Sequence, residues 1–132
     1  MSSIDQSKQF IPLDIAVLTV SDTREAATDK SGDTLVELLE AAGHQLAGRA
    51  ITKDDTDQIR NQIAAWIADT SVDVVITTGG TGFTGRDVTP EAVRPLFEKE
   101  IDGFATVFHT ISYAKVGTST LTNRARSARR FC

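Results

Sequence analysis

At 132 residues, with 40% hydrophobic and 24% charged side chains, the chain is sized and balanced for one globular domain. A formal net charge of −4 argues against a general nucleic-acid binder, and no apolar run is long enough to span a bilayer, which argues against a membrane protein. The one cysteine, Cys132, leaves no intrachain disulfide to form and fits a reducing cytoplasm.

Met1 to Phe10 is polar and lacks the apolar core of a signal peptide, so residues 1–9 read as a flexible leader. Leu13 to Val20 is a short apolar run rich in β-branched residues, the pattern of a central strand, and it delivers Ser21-Asp22-Thr23 at its end. A polar loop, Arg24 to Lys30, leads to a helix that Ser31 or Asp33 would cap and that runs to Ala42. Leu35, Leu38, Leu39 and Ala42 share its inner face, and Gly43 supplies the left-handed stop. His44 to Thr52 is a weaker strand, broken in pattern by Gly48 and Arg49. The charged turn Lys53 to Asp57 then caps a helix reaching about Asp69, with Ile59, Ile63, Trp66 and Ile67 on its core face. Val72 to Ile76 reads as a third, buried strand. Beyond it, Thr89 is placed as an N-cap with Pro90 at the first helical position. Pro95 is expected to kink or restart that helix, and Asp102 to cap another carrying Phe104, Val107, Phe108 and Ile111. His44 and His109 lack metal-ligand spacing.

Strand and helix alternation of this kind implies an α/β fold: a three-layer αβα body around a mostly parallel sheet. In such sheets ligands sit beyond the C-terminal strand ends. Three segments fall there: Ser21-Asp22, Asp54-Asp55, and the stretch TTGGTGFTGRDVTPEA at 77–92. The glycines of that stretch let the backbone turn sharply and expose consecutive N–H groups to an anion. The loop is neither a GxxxxGKS/T phosphate loop, since no lysine follows, nor a GxGxxG dinucleotide fingerprint.

The whole string resembles the signature of the MoaB/MogA family of molybdenum cofactor biosynthesis proteins, to which a domain of gephyrin is related. AVLTVSDTR at 16–24, DKSGDTL at 29–35, the Asp54-Asp55 turn and GTSTLTNRA at 117–125 agree in order, so the resemblance covers about residues 10–125. The opening FIP at 10–12, AWIA at 65–68 and GTSTL at 117–121 are more similar to the MoaB branch. The resemblance implies a MogA-like molybdopterin-binding fold in a cytoplasmic trimer or hexamer, with other molybdenum cofactor biosynthesis proteins as partners. It implies adenylylation of molybdopterin by ATP with Mg2+, or, as the alternative in the MoaB branch, molybdopterin binding without turnover.

Carried residue by residue, the resemblance gives Asp87 and Asp54 as catalytic carboxylates, with Asp87 as a magnesium ligand. Each has a plainer reading: Asp87 as a surface carboxylate near a helix start, Asp54 as a helix cap in competition with Asp55 and Thr56. Thr78, Gly79, Gly80, Thr81 and Gly82 would hold a phosphate or the polar edge of the pterin. Arg86 reads either as a partner of a ligand phosphate or as an exposed arginine. Ser21 and Asp22 read as ligand hydrogen-bond partners, Asp22 equally as a turn cap. Ser119 and Thr120 match a segment lining the pterin side in the family.

All 18 acids lie within residues 1–102; beyond them stand only the bases Lys115, Arg124, Arg126, Arg129 and Arg130. Residues 126–132 form an atypical basic tail where family members continue with a glycine, an apolar strand and a Pro-Gly-Ser turn. A changed reading frame or a shortened chain is the expectation, with an incomplete pterin pocket and reduced stability. An RNA-binding tail is the weaker alternative, for want of patterned aromatics.

Overall fold

Every residue of β1 (Asp14–Val20) after Asp14 is buried. Its aliphatic and β-branched side chains suit a parallel strand covered on both faces. The computed structural model describes residues 7–82, 84–118, 124 and 128–129. After β1 come α1 (Lys30–Ala41), β2 (Gln45–Thr52), α2 (Thr56–Ala68), β3 (Val74–Thr78), α3 (Thr89–Val93), a 3-10 turn (Arg94–Leu96), β4 (Lys99–Glu100), α4 (Asp102–Val116) and β5 (Ala128–Arg129). The sheet order is β2-β1-β3, all parallel, with Val17 opposite Arg49 on one side and Ile76 on the other. β4 and β5 form a short antiparallel pair that brings part of the basic tail beside Lys99 and Glu100.

Alternation along β1 divides the interior. Ile15 and Val17 face α1 and pack with Leu39, Leu35 and Val36. Leu18 and Val20 face α2 and α3, packing with Ile59, Ile63, Ala92 and the half-buried Trp66. Helices thus cover both faces of a parallel sheet, which is the expected three-layer body. Burying a side chain the size of Leu18 or Ile59 contributes about 1.5–3 kcal/mol.

Several local expectations change. Leu38 is 61% exposed, because the inward face of α1 centres on Leu39 with Leu35 and Val36. Helix α4 buries none of its residues; Phe104, Val107 and Ile111 are all exposed. Asp102 lies inside α4 and makes no cap bond. Neither Ser31 nor Asp33 caps α1. Asp29 does, accepting from the Gly32 N–H at 3.0 Å.

Asp29 is fully buried, so its charge needs partners. Thr19 Oγ1 donates to it at 2.7 Å and Arg49 Nη2 at 3.1 Å, and Arg49 also pairs with Asp33 at 2.8 Å. Burial pushes the Asp29 carboxyl up, but the bonds from Thr19, Gly32 and Arg49 together outweigh it and hold the group below its ordinary value. A lowered carboxyl pKa gives stability that is present above the unfolded value of about 3.8 and lost as pH falls through the folded one. Arg49→Met is therefore expected to cost about 2 kcal/mol at neutral pH. In urea titrations its deficit should narrow below pH 4, where the carboxyl protonates.

Candidate functional site

The three parallel strands end side by side, and their exits are stitched together. The Ser21 N–H donates to the Thr52 carbonyl at 2.8 Å, and the Asp54 N–H to Asp22 Oδ1 at 3.0 Å. After β3 the chain turns through Gly79 (φ +95°) and Gly80 (φ +68°), the left-handed region open to glycine. A methyl group on Gly79 would lie 2.2 Å from the Val20 carbonyl oxygen. One on Gly80 would lie 2.2 Å from Thr89 Oγ1 and 3.1 Å from Asp54 Oδ1. The glycines therefore let the loop lie directly against the end of β1 and the Asp54 turn.

Thr89 is not an N-cap. It lies within α3, buried, and its hydroxyl donates to the Gly79 carbonyl at 2.9 Å while its N–H donates to the Gly80 carbonyl at 3.0 Å. Both bonds fold α3 back onto the loop. Thr77, Thr78, Gly79, Thr81 and Thr89 line a cleft of about 260 Å³, closed by Pro90, Val93, Phe104, Phe108 and Arg124. Threonine side chains, two aromatic rings and one arginine thus share the lining of this cleft.

Asp55 takes the cap of α2, accepting from the Gln58 N–H at 2.9 Å. Asp54 is thereby left without that task. Its Oδ1 is buried with no hydrogen-bond partner, and burial together with the nearby Asp87 charge pushes its carboxyl above the ordinary value. Asp87 Oδ2 accepts from the Thr84 hydroxyl at 2.6 Å and the Thr84 N–H at 3.0 Å. The Thr84 bonds, helped by the Arg124 charge, hold Asp87 below its ordinary value. The structure thus sets a carboxyl that resists ionising beside one that ionises readily. Magnesium is commonly held by one or two carboxylates with water and phosphate completing its shell, and Asp54 and Asp87 are the two described side chains here that could hold it. Among the described residues no cluster of three or more His, Cys, Asp or Glu side chains offers a fuller cage.

The other expected site residues sit close by, with their polar groups engaged. Ser21 Oγ accepts from the Thr23 and Arg24 N–H groups in a turn. Asp22 holds the Asp54 turn with one oxygen and pairs with Arg86 through the other. Arg86 is 75% exposed, so this pair is screened by solvent and contributes less than about 1 kcal/mol. Ser119 and Thr120 lie outside the described residues. Two participants went unassigned from sequence: Thr89 as a loop clasp, and Arg124, which reaches the loop from beyond α4.

A protein-family model described as "Probable molybdopterin binding domain" matches residues 16–131. The chain is 48% identical over 119 residues to the molybdenum cofactor biosynthesis protein B of Escherichia coli K12, covering 90% of this chain and 70% of that protein. A crystal structure of a molybdenum cofactor biosynthesis protein B superposes with a TM-score of 0.88 at 44% identity, over 92% of this chain and 76% of that one. The tungsten cofactor synthesizing protein MoaB from Pyrococcus furiosus superposes with a TM-score of 0.76 at 38% identity, over 89% of this chain and 72% of that one.

Proposed function

Because the chain belongs to the family of molybdenum cofactor biosynthesis proteins defined by the molybdopterin-binding domain, we propose that it binds molybdopterin at the glycine loop and adenylylates it with ATP and Mg2+. The products are adenylyl-molybdopterin and pyrophosphate. A terminal phosphate oxygen of molybdopterin attacks the α-phosphorus of ATP, and the bond to the pyrophosphate oxygen breaks. Two anions must meet, so positioning and charge neutralisation carry most of the rate.

The observation that carries this reading is the buried, unpartnered Asp54 oxygen beside Asp87. An orphaned carboxyl oxygen costs stability and calls for a use. Asp54 and Asp87 would hold the magnesium ion, which when bound neutralises charge on the phosphate chain. The N–H groups of Gly79, Gly80, Thr81 and Gly82 and the hydroxyl of Thr78 hold the anionic and polar edges of the ligands. The rings of Phe104 and Phe108, with centroids 6.3 Å apart, offer the cleft an apolar wall. Self-association into a trimer or hexamer in the cytoplasm, alongside other proteins of the pathway, completes the proposal. The exposed apolar residues of α4 support it.

A second reading, binding without turnover, is favoured by one feature: Asp87 is held by Thr84 and Arg86 by Asp22, so both are engaged within the protein. Pyrophosphate assays separate the two. Release from ATP only when molybdopterin is added is the expected result. Tight pterin binding with no pyrophosphate establishes the second reading, and absence of pterin binding overturns both.

A further inference from the structure

A guanidinium carries five N–H donors in a planar fork and stays charged throughout the accessible pH range. Arg124 spends that fork on the glycine loop. Nε donates to the Gly82 carbonyl at 2.9 Å, and Nη2 to the Asp87 carbonyl at 2.6 Å. Nη1 pairs with Glu91, whose other oxygen lies 3.2 Å from Nη2. The main-chain N–H of Arg124 donates to the Thr81 carbonyl at 2.8 Å. The arginine thus spans the loop from its glycine turn to the first turn of α3, and its side chain is only 23% exposed.

In a planar trans peptide the carbonyl and the following N–H point in opposite directions. Drawing the Thr81 carbonyl toward Arg124 therefore turns the Gly82 N–H the other way, and Gly82 is the residue that lies against the Asp87 carboxylate. A methyl group on Gly82 would lie 2.7 Å from Asp87 Oδ2, so the contact is close. Sequence order hides all of this, since Arg124 stands 37 residues beyond Asp87.

We propose that Arg124 is a positioning residue of this site: by holding the carbonyls of Thr81, Gly82 and Asp87 it sets the peptide planes of the glycine loop and keeps the Asp87 carboxylate beside Asp54. The inference rests on the loop being the phosphate- and pterin-binding element, and the experiment has one arm that does not. In ligand-free protein, Arg124→Ala should speed amide hydrogen exchange at Thr84 and Thr89 by roughly tenfold while leaving β1 amides unchanged. In turnover assays, the same variant should lower kcat roughly tenfold or more with KM for ATP nearly unchanged, and added guanidinium ion should restore part of the loss. Arg124→Lys keeps the charge without the fork, so it should fall close to Arg124→Ala.

Unchanged exchange at Thr84 and Thr89 would overturn the proposal. So would faster exchange throughout β1, which marks a general loss of stability. If Arg124→Ala does not fold, Arg124→Lys decides by the same two measurements. A wild-type protein that releases no pyrophosphate sinks adenylylation instead, and the exchange arm still judges Arg124.

Discussion

Asp54→Asn is expected to abolish pyrophosphate release while raising the melting temperature. The Asp54 oxygen is buried without a hydrogen bond and faces the charge of Asp87, so ionising it costs stability. Asparagine keeps the shape and removes the charge, which should stabilise the fold by about 1 kcal/mol, or about 4 °C for a chain this size. The gain has a pH signature. A raised carboxyl pKa imposes no penalty below the unfolded value of about 3.8, where the group is protonated in both states, and imposes all of it above the folded value. The difference between Asp54→Asn and wild type should therefore appear as pH rises past 4 and then level off. Asp87→Ala should behave oppositely in the stability assay. It removes the acceptor of two Thr84 bonds and should cost about 1 kcal/mol while also abolishing turnover. Two inactive variants that move stability in opposite directions would identify Asp54 as a carboxyl held for use at a cost to folding, and Asp87 as one that serves both. Equal destabilisation by both would count against that account.

Gly79→Ala is expected to be the most damaging single substitution in the loop. Its φ of +95° disfavours any side chain, and the added methyl would meet the Val20 carbonyl oxygen at 2.2 Å. That oxygen belongs to the central strand, so it cannot step aside as a flexible side chain would. Strain and displacement together should cost about 3 kcal/mol or more, a large share of the roughly 5–15 kcal/mol that holds a domain folded. Gly85 is the internal control, because a methyl there meets nothing within 4 Å and its φ is not positive. Gly85→Ala should leave the unfolding midpoint within about 0.5 kcal/mol of wild type. If both variants melt alike, the close approach of loop to strand is wrong.

What the sequence disclosed follows from the range of its signals. β1 and the turn after β3 are written in consecutive residues, in an apolar run and a glycine string; β1 stands where it was expected, and the turn begins at Gly79, two residues late, because β3 runs through Thr78. Asp29 was hidden because its partners come from three elements: Thr19 on β1, Gly32 on α1 and Arg49 on β2. No local pattern marks an aspartate as buried. The choice between Asp54 and Asp55 as cap turned on side-chain direction, which spacing does not report. Thr89 matched the residue preference of an N-cap, yet the nearby Gly79 carbonyl captured its hydroxyl. Leu38 met the helical period but falls off the inward stripe, and Phe104, Val107 and Ile111 of α4 stay exposed although Phe104 and Phe108 border the cleft. In each case tertiary geometry overrode a correct local rule.

Val20 belongs to two structures at once. Its side chain is part of the core beneath α2 and α3, and the same residue presents its carbonyl to Gly79 and a methyl to Gly80. No hinge separates the sheet from the glycine turn among the described residues. Loosening the core should therefore slacken the grip on a ligand, and the two should be lost in a single cooperative step on heating.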